Sequence, residues 1–161
     1  MVATPIAAET RYFNPETSKL YWVPAIADKT APTRSELNAG TDVSRAVADV
    51  NGWMVSSEMI DVPDMGSRFI SKIPGRISAN DSSVTYYMDR AGIDAREVMP
   101  RDAEGYVVWL DGGDVAGRKC DVFPVTVSSH GKSRSAGAEP ARLTIAYAIT
   151  SEPAENVTIP S

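Results

Sequence analysis

The chain holds a single histidine, His130, set among Ser128, Ser129 and Ser133 in a polar stretch. A serine beside a histidine is the beginning of a nucleophilic site, but it needs a sharp turn presenting the hydroxyl and an acid orienting the imidazole. No Gly-x-Ser-x-Gly turn occurs, and no aspartate is tied to His130 by pattern, so His130 reads as a solvated loop residue. Asp111, Asp114 and Asp121 flank the glycines Gly112, Gly113 and Gly117, which suggests a calcium loop. Their spacing misses the alternating Asp/Asn ladder with a distal Glu that such a loop requires. Nor do these glycines form a dinucleotide or phosphate-binding fingerprint; a tight turn explains them. One His and one Cys cannot build a zinc site of the usual kind. Cys120 alone excludes an internal disulfide and reads as a small strand residue. The basic pair Lys132 and Arg134 is too small for nucleic-acid recognition. Asn80-Asp-Ser82 and Asn156-Val-Thr158 match glycosylation acceptors, which carry no weight without an export signal. The sequence therefore assigns no catalytic, cofactor-binding or metal-binding residue, and a non-enzymatic role is the expectation.

What must position any working surface is a mainly β framework. The 161 residues fit one domain, and a 43% hydrophobic content allows a packed core. Sixteen basic against 21 acidic residues, a formal net charge of -5, argue against a protein that binds DNA by neutralising phosphates. No run of 18 apolar residues and no basic-then-apolar opening appears, so neither a membrane span nor a secretion signal is expected.

Period-two alternation is clearest at residues 120–127, where Phe123, Val125 and Val127 share a face. It recurs at 141–150, where Leu143, Ile145, Tyr147 and Ile149 oppose Arg142, Thr144, Ala146, Ala148 and Thr150. Between them, 128–137 is polar and Gly-containing and predicts a long loop. Lys19–Ile26 predicts a short strand limited by Pro24. Thr33 and Glu36 form a capping box opening a helix of one or two turns that stops at Gly40. Residues 41–50 predict a short strand or irregular edge, and Asn51-Gly52 a tight hairpin leading into a strand over 53–60. A turn over Asp61–Gly66 and a strand over Arg68–Ile73, ended by Pro74-Gly75, follow. The next strand is expected as one piece over Arg76–Asp89, with Val84, Tyr86 and Met88 on one face and Thr85 and Tyr87 on the other. A short helix over Ala91–Val98 precedes a strand at Glu104–Leu110, apolar on both faces and so central. Trp22, Trp53 and Trp109 fall in strand contexts that favour core packing. The expected organisation is an N-terminal arm (1–18), a β domain (19–151) and a polar C-terminal tail (152–161).

The ordered set Lys19-Leu-Tyr-Trp-Val-Pro, Pro32-Thr-Arg-Ser-Glu-Leu-Asn-Ala-Gly-Thr-Asp42, Val50-Asn-Gly-Trp53, Ile73-Pro-Gly75, Asn80-Asp-Ser-Ser-Val-Thr-Tyr86, Gly105-Tyr-Val-Val and Asp121-Val-Phe-Pro-Val125 resembles the major tail tube proteins of long-tailed, non-contractile bacteriophages of the actinobacteriophage type. The likeness runs from about residue 19 to 151. It implies an antiparallel β-sandwich or small barrel with one or two short flanking helices. It further implies hexameric rings joined through their inner sheets and stacked into a hollow tube, as part of the virion. The tube would enclose the tape-measure protein, meet tail terminator and tail-tip proteins, and carry DNA in transit without binding it specifically or touching a membrane. Such tubes tend to present an acidic lumen. Residues 55–76 match the hairpin that spans rings, with a loop shorter than the longest in the family, and the two ends match polymerisation arms by position. The immunoglobulin-like domain that some relatives append is not expected. The alternatives are a tail terminator or neck ring protein, a capsid decoration or injection-device ring protein, a soluble β-sandwich binding module and a small hydrolase.

Overall fold

The computed structural model describes residues 2–161. The elements are α1 (Asn14–Thr17), β1 (Lys19–Val23), α2 (Arg34–Asn38), β2 (Thr41–Asp42), a 3-10 turn (Ser44–Ala46), β3 (Val47–Asn51), β4 (Val55–Val62), β5 (Ser71–Ala79), β6 (Ser82–Tyr87), α3 (Ala95–Val98), β7 (Glu104–Leu110), β8 (Lys119–Ser133), β9 (Arg142–Ile149) and β10 (Ala154–Thr158). The protein is predominantly β with short helices only, as expected. One antiparallel sheet runs β2-β1-β7-β8-β9-β6-β3, and β10 adds to β8; a second sheet is the β4–β5 hairpin alone.

The sheet curls so that strands from its two ends share one core. Leu20 and Trp22 of β1, Val107 of β7, Phe123, Val125 and Val127 of β8, Leu143, Ile145 and Tyr147 of β9, and Val84 and Tyr86 of β6 form a single buried cluster. The alternation in 120–127 and 141–150 thus points where period two said it would. Buried hydroxyls must find partners, and Tyr86 and Tyr147 bond each other at 2.8 Å, with Tyr147 also donating to Met99 Sδ. A second cluster covers the outer side of β1, β7 and the first half of β8. Val23, Val108, Leu110, Cys120 and Val122 meet Leu37 of α2 and Ala154, Val157 and Ile159 of the C-terminal segment. β7 is therefore buried on both faces, as its composition predicts.

Helix α2 starts as its capping box dictates: Glu36 N–H donates to Thr33 Oγ1, while Thr33 N–H donates to Glu36 Oε2 at 2.7 Å. One buried residue, Leu37, anchors this short helix. Arg34 then reaches Asp114 with two bonds of 2.7 Å, and Tyr21 donates to the same carboxylate at 2.9 Å. The guanidinium holds the Asp114 carboxyl below its usual range, while burial and the neighbouring carboxylate push the Tyr21 phenol up to about 12.

Several local expectations change. The polar stretch from Ser128 to Ser133 is not loop: β8 continues through it, paired with β9 from Ser129↔Ala146 to Ser133↔Arg142 after a bulge at Val127/Ser129. The stretch 76–89 is two strands, since β5 ends at Ala79 and β6 begins at Ser82 in a different sheet. Pro74 lies inside β5 rather than ending a strand; it sits beside a bulge in the two-stranded sheet, where a missing donor is tolerated. Residues 152–161 are not simply a polar tail, because Ala154 and Val157 of β10, and Ile159, are buried. Their spacing of three and two hides a strand whose register slips between Ala154 and Val157.

Candidate assembly surface

The residues whose types could do chemistry are dispersed. His130 Nε2 lies 2.9 Å from the Met99 carbonyl, at the end of the core above α3, whereas Ser128 Oγ donates to Ala146 O. Asp114 is committed to Arg34, and Asp121 Oδ1 accepts from Asn156 N–H at 2.8 Å. Burial raises the Asp111 carboxyl, and the charge on Asp121 adds to the rise. Among the described residues no group of three His, Cys, Asp or Glu could hold a metal ion. Cys120 is buried, its thiol pushed up to about 11 by burial and then by Asp121, Asp114 and Asp111. Among the described residues, no helix is long and apolar enough to cross a membrane.

The conspicuous surface lies elsewhere, and the chain builds it at the corner after β3. Asn51-Gly52 does not make a tight hairpin: β3 pairs with β6, while β4 leaves the main sheet and pairs with β5. The corner takes Gly52 and Trp53 through positive φ, +84° and +64°. A Cβ at Gly52 would stand 2.3 Å from Asp81 O, so only glycine fits the turn. A bulky residue at positive φ is strained, and contacts must hold it there. Trp53 has them: edge-on packing with Trp109 and Phe123, contact with Tyr147, and an indole N–H donated to Ser83 O. Its backbone N–H donates to Ser82 Oγ, which is buried and donates to Asn80 O; Asn80 N–H donates in turn to Met54 O. The base of the hairpin is therefore pinned to the core.

Beyond this base, β4 and β5 bond only to each other, with Ile60 opposite Ile73 and Asp61 paired with Lys72 in an ion pair. Gly75 lets the strands close up, since a Cβ there would meet the Ile60 side chain at 2.9 Å. A lone two-stranded ribbon is marginal in water. This one exposes Met59, Ile60, Ile73 and Ile77 along its length, with Phe69 76% exposed and Met65 fully so in the connecting loop. Contiguous apolar exposure of this kind marks a surface that meets another molecule. The sequence likeness pointed to the hairpin; which side chains it exposes was missed, although Phe69, Ile70 and Ile73 give the signal, being too apolar for a ribbon with no second layer.

Sheet edges are also open: besides β2, which pairs with β1 only, two of them flank the strands β3, β6, β9 and β8. β3 ends the main sheet, bonded to β6 only. β7 reaches β8 only from Asp121 to Thr126, so Ser128–Ser133 pair on the β9 side alone. Finally, residues 2–13 form no regular element and expose Val2, Ile6, Tyr12 and Phe13, while Ser18 ties the following turn to Asp111 O at 2.8 Å.

A chain with a pinned apolar ribbon, open edges and an exposed leading arm is equipped for contact rather than chemistry. Residues 7–161 match the family described as Phage tail tube protein. The chain belongs to that family. Its membership establishes a structural part in a viral tail, and the β-rich architecture agrees with the sandwich-like fold expected of a tube protein. No individual curated protein matches the chain.

Proposed function

We propose that the chain is a virion structural subunit, without catalytic activity, that closes into hexameric rings which stack into the hollow tube of a long, non-contractile tail of the actinobacteriophage type. The tube encloses the tape-measure protein during assembly, is bounded by terminator and tail-tip proteins, and carries DNA at ejection. The observation that carries this reading is the β4–β5 ribbon, which exposes apolar side chains that nothing else among the described residues covers. Stacking one ring on the next would bury them.

Strand directions favour ring closure as well. β3, β6, β9 and β8 alternate in direction, so β3 and β8 run opposite ways. A neighbour generated by rotation about an axis along the strands brings its β8 antiparallel to β3, and the alternation continues unbroken. Such a contact is heterologous and closes only if the rotation does. Negative-stain microscopy and sedimentation of the purified protein test the proposal. Rings or open-centred tubes are expected; a subunit that stays monomeric at high concentration, and with tape-measure and tail-tip proteins added, overturns it.

A further inference from the structure

The four strands between the two open edges present one face to the core and the other to solvent. On the solvent face, Cα partners line up in rows across the sheet: Asp49, Thr85, Thr144 and Gly131 in one, and Asn51, Ser83, Ala146 and Ser129 in the next. Opposed residues of an antiparallel pair project to the same side. Thr85 and Thr144 join their hydroxyls at 2.9 Å. This face has no counterpart to α2 and β10, which cover the outer side of β1, β7 and the first half of β8. Its charges are Asp49 and Arg142, one of each sign.

Resting on the tube reading above, we infer that this face is the lumen wall and that it is electrically neutral, a carpet of hydroxyls and methyls rather than the acidic lining the family likeness implies. The orientation follows from bulk. Both cores, β1, β7, α2 and β10 lie on the far side of the four strands. A layer continuous from copy to copy must have the smallest circumference, with the bulk radiating outward. Four strands at about 4.8 Å span roughly 19 Å, so six copies enclose a backbone circle roughly 37 Å across. Most of the side chains that line it are short, the exceptions being Tyr87 and Arg142, which stand opposite each other in a third row with Ser133. DNA passing such a wall loses no counterions to it, so no salt-dependent affinity arises, and water on the hydroxyls separates the two surfaces. Slipperiness here comes from the absence of contact charge, not from repulsion.

The chain provides a clean background for testing this, because its one thiol, Cys120, is buried. Thr144→Cys and, as a second position, Ala146→Cys are compared with Ser35→Cys on the exposed side of α2. In assembled tubes, the thiols at 144 and 146 should react with a small maleimide but not with a polymer-linked one too large to enter, while that at 35 reacts with both. In dissociated subunits all three should react with both. Cationic and anionic methanethiosulfonates then read the local potential. A neutral wall gives a rate ratio within about twofold of free cysteine, whereas a wall at a potential of several kT favours the cation by more than about tenfold. Polymer labelling at both 144 and 146 in intact tubes, as fast as at 35, overturns the orientation. A cation preference above tenfold that collapses with salt overturns the neutrality. If the unsubstituted chain forms no rings or tubes even with its initiating partners, the tube reading itself fails and this inference with it.

Discussion

Replacing Phe69 and Ile70 together by serine separates the ribbon's role in assembly from any role in folding. Phe69 is 76% exposed and Ile70 50%, so neither contributes much to the core of the isolated subunit. If stacking covers them, each contact between rings loses the burial of most of a phenylalanine and half an isoleucine. Full burial of such side chains is worth about 1.5–3 kcal/mol each, which puts the combined loss near 3 kcal/mol. That is a factor of roughly 150 in an equilibrium constant. The concentration at which tubes begin to form, read by pelleting, should rise by about two orders of magnitude.

Folding of the isolated subunit should be indifferent to the same change. Exposed positions away from caps and networks typically shift stability by less than about 0.5 kcal/mol, which is within about 2 °C for a domain of this size. The paired outcome is what tests the reasoning: assembly lost, melting temperature kept. Tubes forming at the unsubstituted concentration would show that the ribbon's apolar face is not a stacking surface. A melting temperature lowered by several degrees would show that it packs within its own subunit.

Removing residues 2–13, which are exposed and outside every regular element, should leave the melting temperature unchanged and weaken tube formation; normal tubes would remove the arm from the interface. The cut belongs before Asn14, because Ser18 bonds Asp111 O and its loss would disturb the domain itself. Ile145→Asp, at a position with no exposure, should cost more than about 4 kcal/mol and leave no cooperative unfolding transition; a soluble, cooperatively melting variant would mean β9 faces the other way. Acid should weaken the fold through two carboxylates. Hydrogen bonds from Arg96 hold Asp94 at about 2, and those from Arg34 lower Asp114. Both folded values lie below the unfolded one, so the stabilisation is complete above the ordinary carboxylate range and is lost as pH falls from about 4 towards 2. After screening by solvent, Asp94 contributes about 1 kcal/mol. Urea titrations of Asp94→Asn should therefore show a shallower fall in stability across that window, and a slope equal to the unsubstituted chain's would refute the assignment.

Much of the domain's interior can be read from residue patterns alone. Thr33 and Glu36 announce α2, and the alternation of Phe123, Val125 and Val127 with that of Leu143, Ile145 and Tyr147 announces the core, because each signal is satisfied within a few residues or by burial. What resists reading lies where the deciding partner is remote in sequence. Asn51-Gly52 carries a strong hairpin signal, yet the corner it makes is fixed by Trp53 docking on Trp109, Phe123 and Tyr147, ring contacts up to 94 positions away that no local pattern encodes. The β10 strand is masked by a register slip. Ser128–Ser133 look like loop because polar residues line a strand with one face to solvent and one edge open.

The same logic explains why the candidate surface was half legible. A residue that is apolar and exposed contradicts the pattern rules of a single folded chain, and such contradictions gather where a protein does its work. In this chain they gather on the ribbon and the leading arm, with Val50 on the β3 edge, whereas residues with conventional catalytic chemistry, His130, Asp114 and Asp121, are absorbed into ordinary hydrogen bonds and ion pairs. Trp53 joins the two regimes. Its ring belongs to the core, but its strained backbone aims the ribbon away from the sheet, so the energy of folding is what holds the apolar strands out for another molecule to cover. Shortening that ring should loosen the ribbon's aim before it exposes the core, and a tube protein whose stacking depends on a fixed projection would register that loss first.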